Sequence, residues 1–488
     1  MKCRILTCIT VIALFAALGL PLQLAAQDNH NHHKHHRYKL IDLGTLGGPQ
    51  SFGDPGHGAG NINNRGIAVG VADTDTPDPY FPNYNPLGFF PDPFVHHVFE
   101  SNNGSLIDQG ALPGANSSSV SFITENGLIS GQSLNGAIDP LTGYPEQNAV
   151  LWKNGHIINL GTLGGYESGA GVVNSHGQVA GFSGNAVPDT NSFLSLGTQT
   201  RAFLWDEDHG MQDLGTLGGS DAFAPFINER GQVAGLSYTS SSTVDPFLWK
   251  SGKMVDLGTL GGTFGGPGDL NNQGQVAGTS NLAGDSTFHP FLWTAPGPMR
   301  DLGTLGGNTG SANAINDAGE VVGLADTADS THAFFWRHGQ MTDVGTVDGD
   351  CFSGAFGINA KSQVVGQSIS CDGTVSHAFL WENGHTIDLN DFVPPGSGLV
   401  VGDAEKINDR GEIFGSASLP NGDVHAVLLI PCDEHHPSVE GCDYSLVDAA
   451  SAASRPSPAV SGAARGALLP LRLRPRFPSL VAGRAFGH

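Results

Sequence analysis

Three short signatures recur along this chain in a fixed order, eight times each. A repeat of that kind constrains the fold more than any single motif, so it is read first. One is an Ile-Asn turn: NINNRG at 61, FITENG at 122, VVNSHG at 172, FINERG at 226, DLNNQG at 269, AINDAG at 314, GINAKS at 357 and KINDRG at 406. Next comes a short apolar run ending in Gly, such as IAVG, LISG, QVAG or EVVG. Last is an aromatic run: HVFE at 97, AVLW at 149, AFLW at 202, PFLW at 246 and 290, AFFW at 333, AFLW at 378 and AVLL at 426. Between copies stands LGTLGG, at 43–48, 160–165, 214–219, 257–262 and 302–307.

These pieces read as strands. They are short, rich in Val, Ile, Phe and Trp, and punctuated by Gly and Asn. No apolar 3.6-residue period persists after residue 26, so few helices are expected. The Asn of the Ile-Asn turn can bond its own backbone two residues on, and the Gly that follows supplies a positive φ. Four antiparallel strands per unit of about 43 residues, repeated eight times, predict an all-β fold, a single β-propeller of eight four-stranded blades. The first repeat element is a lone fourth strand, Tyr38–Gly44, and the last unit, ending at HAVLLI (His425–Ile430), lacks one. The N-terminal strand is expected to pair with the last unit and close the ring, which would remove the open sheet edges. LGTLGG then reads as the crossover between blades and not as a phosphate loop, since a phosphate loop is not needed five times. Its glycines would allow close backbone approach and positive φ.

Together these signatures resemble the HAF repeat family of extracellular bacterial repeat proteins. The triad that gives the family its name stands at His332-Ala333-Phe334 and His377-Ala378-Phe379, with RAF at 201 and HPF at 289 as variants. The resemblance runs from about Tyr38 to Cys442, with copies one, two and eight departing most. It implies secretion and a repeat architecture and supplies no catalytic motif.

Residues 1–26 have a basic start, an apolar run and small residues at Ala25 and Ala26, the pattern of a secretory signal peptide. The protein is therefore expected outside the bacterial cytoplasm, extracellular or periplasmic, with no membrane span in the mature chain. Residues 27–37 form a His-rich leader, 38–443 the propeller, and 444–488 an Ala/Pro/Arg-rich tail expected to be disordered. Four cysteines follow the signal. In an oxidising compartment they predict two disulfides, Cys351 with Cys371 and Cys432 with Cys442.

The net charge is −24 although both ends are basic, so the middle of the chain carries the acid excess. Such a surface repels phosphate backbones and argues against nucleic-acid binding. No cofactor is expected. DTDTPD at 73–78 offers oxygen ligands for Ca²⁺ but lacks the spacing of an EF-hand loop. HNHHKHH at 30–36 could chelate a metal or serve as a leader.

The loop between the second and third strands is short in units four to eight and long in the first three, at 72–96, 134–148 and 184–200. These insertions should crowd one sector of one face. The first carries Tyr80, Phe81, Tyr84, Phe89 and Phe90, the candidate contact residues for an extracellular carbohydrate or protein partner. The reading that leads is a secreted, non-enzymatic binding or surface-interaction module. The alternative is a hydrolase or lyase acting on polysaccharide, for which neither a G-x-S-x-G elbow nor any other catalytic residue set is present.

Overall fold

The computed structural model describes residues 34–448, except 54–60, 103, 115–116, 240–242 and 438. The signal peptide, most of the His-rich leader and nearly all of the tail lie outside the described residues.

Among the described residues the chain is all-β. Its only helical turn is a four-residue 3₁₀ segment, Leu389–Phe392. None of its helices is long and apolar enough to cross a membrane. The strands form six four-stranded antiparallel sheets, one eight-stranded sheet and a two-stranded pair, Lys34–His35 with Val447–Asp448. The eight-stranded sheet consists of units four and five joined by one parallel bridge, Val244 to Phe264. Units one to seven are each a meander of four consecutive strands, as in unit three: Gly164–Val173, Val179–Pro188, Thr198–Asp206 and Gly210–Asp213. The first strand of each unit packs against the third strand of the unit before it. Stacked meanders of this kind are the architecture of a β-propeller. The sheet of unit eight takes its fourth strand from the other end of the chain, since Tyr38–Asp42 pairs antiparallel with Val424–Pro431.

Two signatures acquire a physical meaning through strand register. The Gly of the apolar run pairs with the Phe of the aromatic run: Gly70 with Phe99, Gly181 with Phe203, Gly235 with Phe247, Gly278 with Phe291, Gly323 with Phe334 and Gly366 with Phe379. Those six Phe side chains are fully buried. At Gly181 a Cβ would come within 2.7 Å of the Phe203 ring. The glycine is there to make room for the ring, and each ring buried so contributes about 1.5–3 kcal/mol.

The crossover LGTLGG behaves as its composition suggests. In the first copy Gly44 and Gly47 have φ of 72° and 117°, and at Gly48 a Cβ would lie 2.4 Å from the Thr74 carbonyl oxygen. The Asp before the motif accepts from the Gly44 amide at 2.9 Å, and Thr45 donates to the Gly48 carbonyl at 2.7 Å. The motif builds the crossover from one unit to the next.

The Ile-Asn turn fastens one unit to the next. Asn228 accepts from the amides of Arg230 and Gln232 through Oδ1, which shapes its own turn. Through Nδ2 it donates 3.0 Å to the Asn271 carbonyl of the following unit. The same bond runs from Asn174 to Asn228, Asn271 to Asn316, Asn316 to Asn359, Asn359 to Asn408 and Asn408 to Asn63. Asn63 donates to the Thr124 carbonyl. Unit two has Thr124 in place of the Asn, and there Asn126 donates to the Ser175 carbonyl instead.

Candidate functional site: the insertion sector

The three long insertions begin as extensions of the second and third strands. In unit one these strands reach Ala68–Pro77 and Phe94–Asn102, in unit two Ile129–Ile138 and Pro145–Lys153. The chain beyond each ribbon folds through local side-chain-to-backbone bonds. Asp78 accepts from the Tyr80 amide, Asp92 from Phe94 and Asp139 from Leu141, at 2.7–2.8 Å.

The insertions touch one another and form one sector. Asn83 of the first donates to the Gly143 carbonyl of the second at 3.2 Å. Asn85 donates to the Pro145 carbonyl at 2.8 Å and to Glu167 Oε2, on the first strand of unit three, at 3.0 Å. Leu87 reaches further and packs on a buried cluster containing Phe182, Phe193, Phe223 and Leu236. Leu141 of the second insertion lies against Gly197 of the third.

Two carboxylates at matching positions hold this layer down. Glu167 accepts from Asn85 and from the Gln147 amide. Asp221, at the same place in unit four, accepts from the amides of Phe193 and Thr200 at 2.9 and 2.8 Å. Burial pushes Glu167 up to about 8 and Asp221 up to about 6. Asp73, buried at the root of the first insertion, is raised to about 7 by the same cause, reinforced by the charge of Asp92. Desolvation penalises the ionised form, and the amide donors only partly restore it.

The candidate aromatic set divides. Phe81 is 49 % exposed, and Tyr80 and Tyr84 are half-buried. Phe89 is 7 % exposed and packs on His96 with ring centres 5.6 Å apart. Phe90 stacks on His96 at 5.3 Å and tilts against Phe52 at 4.9 Å. Phe89 and Phe90 therefore face inward and anchor the first insertion on its own sheet. Phe89 is too buried to serve a contact surface, and Phe90 is half-buried and partly taken up by its own sheet.

Other side chains are presented instead. Among the described residues ten large apolar side chains are exposed. Six of them, Phe81, Ile138, Leu141, Tyr144, Tyr166 and Val187, stand on the insertions or on the first strand of unit three beneath them. The sequence did carry a signal for Leu141 and Tyr144, as non-repeated apolar residues in LTGY, but the aromatic density of the first insertion drew attention away from them.

The remaining candidates are structural. His332 of the triad bonds Asp343 at 3.0 Å, across the third and fourth strands of its own sheet. His97 with Asp108, His289 with Asp301 and His425 with Asp42 repeat this pairing, and Arg201 with Asp213 replaces it in unit three. Unit four has Asp245 at this position. Burial and the facing charge of Asp256 raise Asp245 to about 6. Of the acidic run 73–78, Asp73 is tied to the Gln50 amide and Asp78 to Tyr80. Among the described residues no group of three or more His, Cys, Asp or Glu is placed to hold a metal ion. Cys351 is joined to Cys371 and Cys432 to Cys442, with Cα atoms 4.8 and 5.4 Å apart.

No protein-family model matches the chain, and no curated protein matches it significantly. Among solved structures it is similar to the β-propeller domain of the Trilobed protease from Pyrococcus furiosus, at 10 % identity and a TM-score of 0.40, covering 74 % of this chain and 98 % of that one. It is also similar to Pyrococcus horikoshii acylaminoacyl peptidase, at 10 % identity and a TM-score of 0.41, covering 72 % of this chain and 54 % of that one. Porphyromonas gingivalis dipeptidyl peptidase 4 gives 11 % identity and a TM-score of 0.43, covering 67 % of this chain and 52 % of that one. The chain thus spans about half the length of the latter two proteins. Likenesses at these scores carry no weight for activity or substrate.

Proposed function

We propose that the chain is a secreted, closed, eight-bladed propeller of the HAF repeat type that acts as a binding module. The insertion sector is its contact surface for an extracellular carbohydrate or protein. The observation that carries this reading is the gathering of exposed apolar side chains on the one sector that the repeat does not explain. Repeated residues answer to the needs of a sheet. Phe81, Leu141, Tyr144 and Tyr166 answer to none, and exposed rings on a braced platform suit a partner with apolar faces. The bracing by Asn83, Asn85 and Glu167 means that little ordering remains to be done on contact, which favours affinity.

A double variant, Phe81→Ala with Tyr144→Ala, tests this against an array of extracellular polysaccharides and matrix proteins. Binding to whatever the parent captures should fall several-fold with the melting temperature unchanged. The internal control is Phe89→Ala, expected to cost about 3–5 kcal/mol of stability through a cavity in the anchor. Full retention of binding in the double variant would sink the assignment of the surface.

A further inference from the structure

The turn between the third and fourth strands is tight in most units, as in KNGH, KSGK, RHGQ and ENGH. Unit five departs, with TAPGPM at 294–299, and its fourth strand shortens to Arg300–Asp301. A cavity of about 380 Å³ opens there between units five and six. It lies on the face of the Ile-Asn turns, opposite the insertions. Gln275, Thr294 and Arg300 line it from unit five, and Glu320, Trp336 and Arg337 from unit six.

Arg300 is out of place by the logic of the repeat. Its register partner is Leu292, and the matching positions hold Ile41, Ile107, Ile158, Val255 and Ile387, with Gln212 and Thr342 in the other two units. The guanidinium carbon sits 5.0 Å from the centre of the Trp336 ring. Its Nη2 lies against Gly339, where a Cβ would come within 2.8 Å. The ring face and the glycine flank the cation. Among the described residues it has no carboxylate partner. Arg337, by contrast, is paired with Glu320 at 3.3 Å, and the other oxygen of Glu320 is taken by Asn316 and Ser362. Thr294, which lines the cavity, accepts from Gln275 Nε2 at 3.0 Å, which leaves its own hydroxyl proton for a further acceptor.

We propose that this cleft binds a small hydroxylated carboxylate of sugar-acid size, with Arg300 as the group that holds the carboxylate. A guanidinium presents parallel N–H donors that match a carboxylate's two oxygens, and one held on an aromatic face loses little freedom on pairing. The volume is near the lower end for small-molecule pockets and suits a single sugar ring. In a chain of net charge −24, a cation set on an aromatic face beside a cavity, with no carboxylate partner among the described residues, is a feature that solubility does not require. The site is independent of the insertion sector, and either can fail without the other.

Isothermal titration of the full chain with galacturonate and glucuronate, against galactose and glucose, reads this directly. At least one sugar acid should bind ten-fold or more tighter than its neutral counterpart. Arg300→Gln should remove that preference, and Arg300→Lys, which keeps the charge without the fork, should retain part of it. Arg300 is exposed, so neither variant should lower the melting temperature by more than the few degrees that the loss of one exposed contact with Trp336 accounts for. Equal affinity for acid and neutral sugars, no binding of either acid, or an undiminished preference in both variants would overturn the proposal.

Discussion

In seven of the eight units a single asparagine does two jobs with its two ends. Oδ1 of Asn228 shapes a turn in its own unit, and Nδ2 fastens that turn to the next. The first job is legible in the sequence, because Asn before a Gly-ended turn has a local reason to be there. The second is not, because the accepting carbonyl lies 43 residues downstream and nothing local points to it. The two can be separated by experiment. Asn228→Asp keeps the acceptor and loses the donor, whereas Asn228→Ala loses both. Denaturant unfolding should show both variants destabilised, by about 1–3 kcal/mol for the loss of the buried donor alone, and the Ala variant at least as much. An Asp variant as stable as the parent would mean that the Nδ2 bonds, to the next unit and to Gln232, contribute nothing net. The Gly–Phe pairing was equally hidden. Strand-like runs were readable as strands, but only register brings Gly181 under Phe203.

At the scale of elements, the insertions show where sequence reading stops. Their positions, and their gathering into one sector, followed from the repeat itself. Which rings point outward did not, since Phe81 and Phe89 look alike in sequence and differ only in whether His96 and its sheet are within reach. The latches, Glu167 and Asp221, give these elements a pH dependence. Their folded values lie above those of the unfolded chain, so protonation favours the folded state. Their contribution is fully present below the ordinary carboxyl range and is lost as pH rises toward about 6 for Asp221 and about 8 for Glu167. Melting temperature should therefore fall between pH 5 and pH 8.5. Glu167→Gln, neutral throughout, should flatten that fall and melt a few degrees above the parent at the alkaline end, at about 2–4 °C per kcal/mol. If the two proteins keep the same pH profile, Glu167 is not the latch.

For the whole molecule, the pairing of Tyr38–Asp42 with Val424–Pro431 is the element on which the proposed ring depends. Tyr38 and Leu40 are buried against Val427 and Leu429 in one cluster, and His425 bonds Asp42. Deleting residues 38–42 strips two large side chains from that cluster, at about 1.5–3 kcal/mol each, and bares a sheet edge. The truncated chain should melt well below the parent and should associate with itself. A truncated chain that melts with the parent would show that the sheet of unit eight stands without its borrowed strand.

That borrowed strand also puts the molecule on a clock. Asp42 and His425 meet across 383 residues of chain. Strand Tyr38–Asp42 has no partner in its sheet until the chain has been made through Val424–Pro431. Every intermediate unit can settle onto its predecessor as it emerges, but the final sheet waits. Until then that strand is apolar on one face and unpaired, which is the state most open to proteases and to pairing with the wrong molecule. The pairing needs both strands, so any ribosome stall or premature stop before residue 424 leaves a product that lacks this seam.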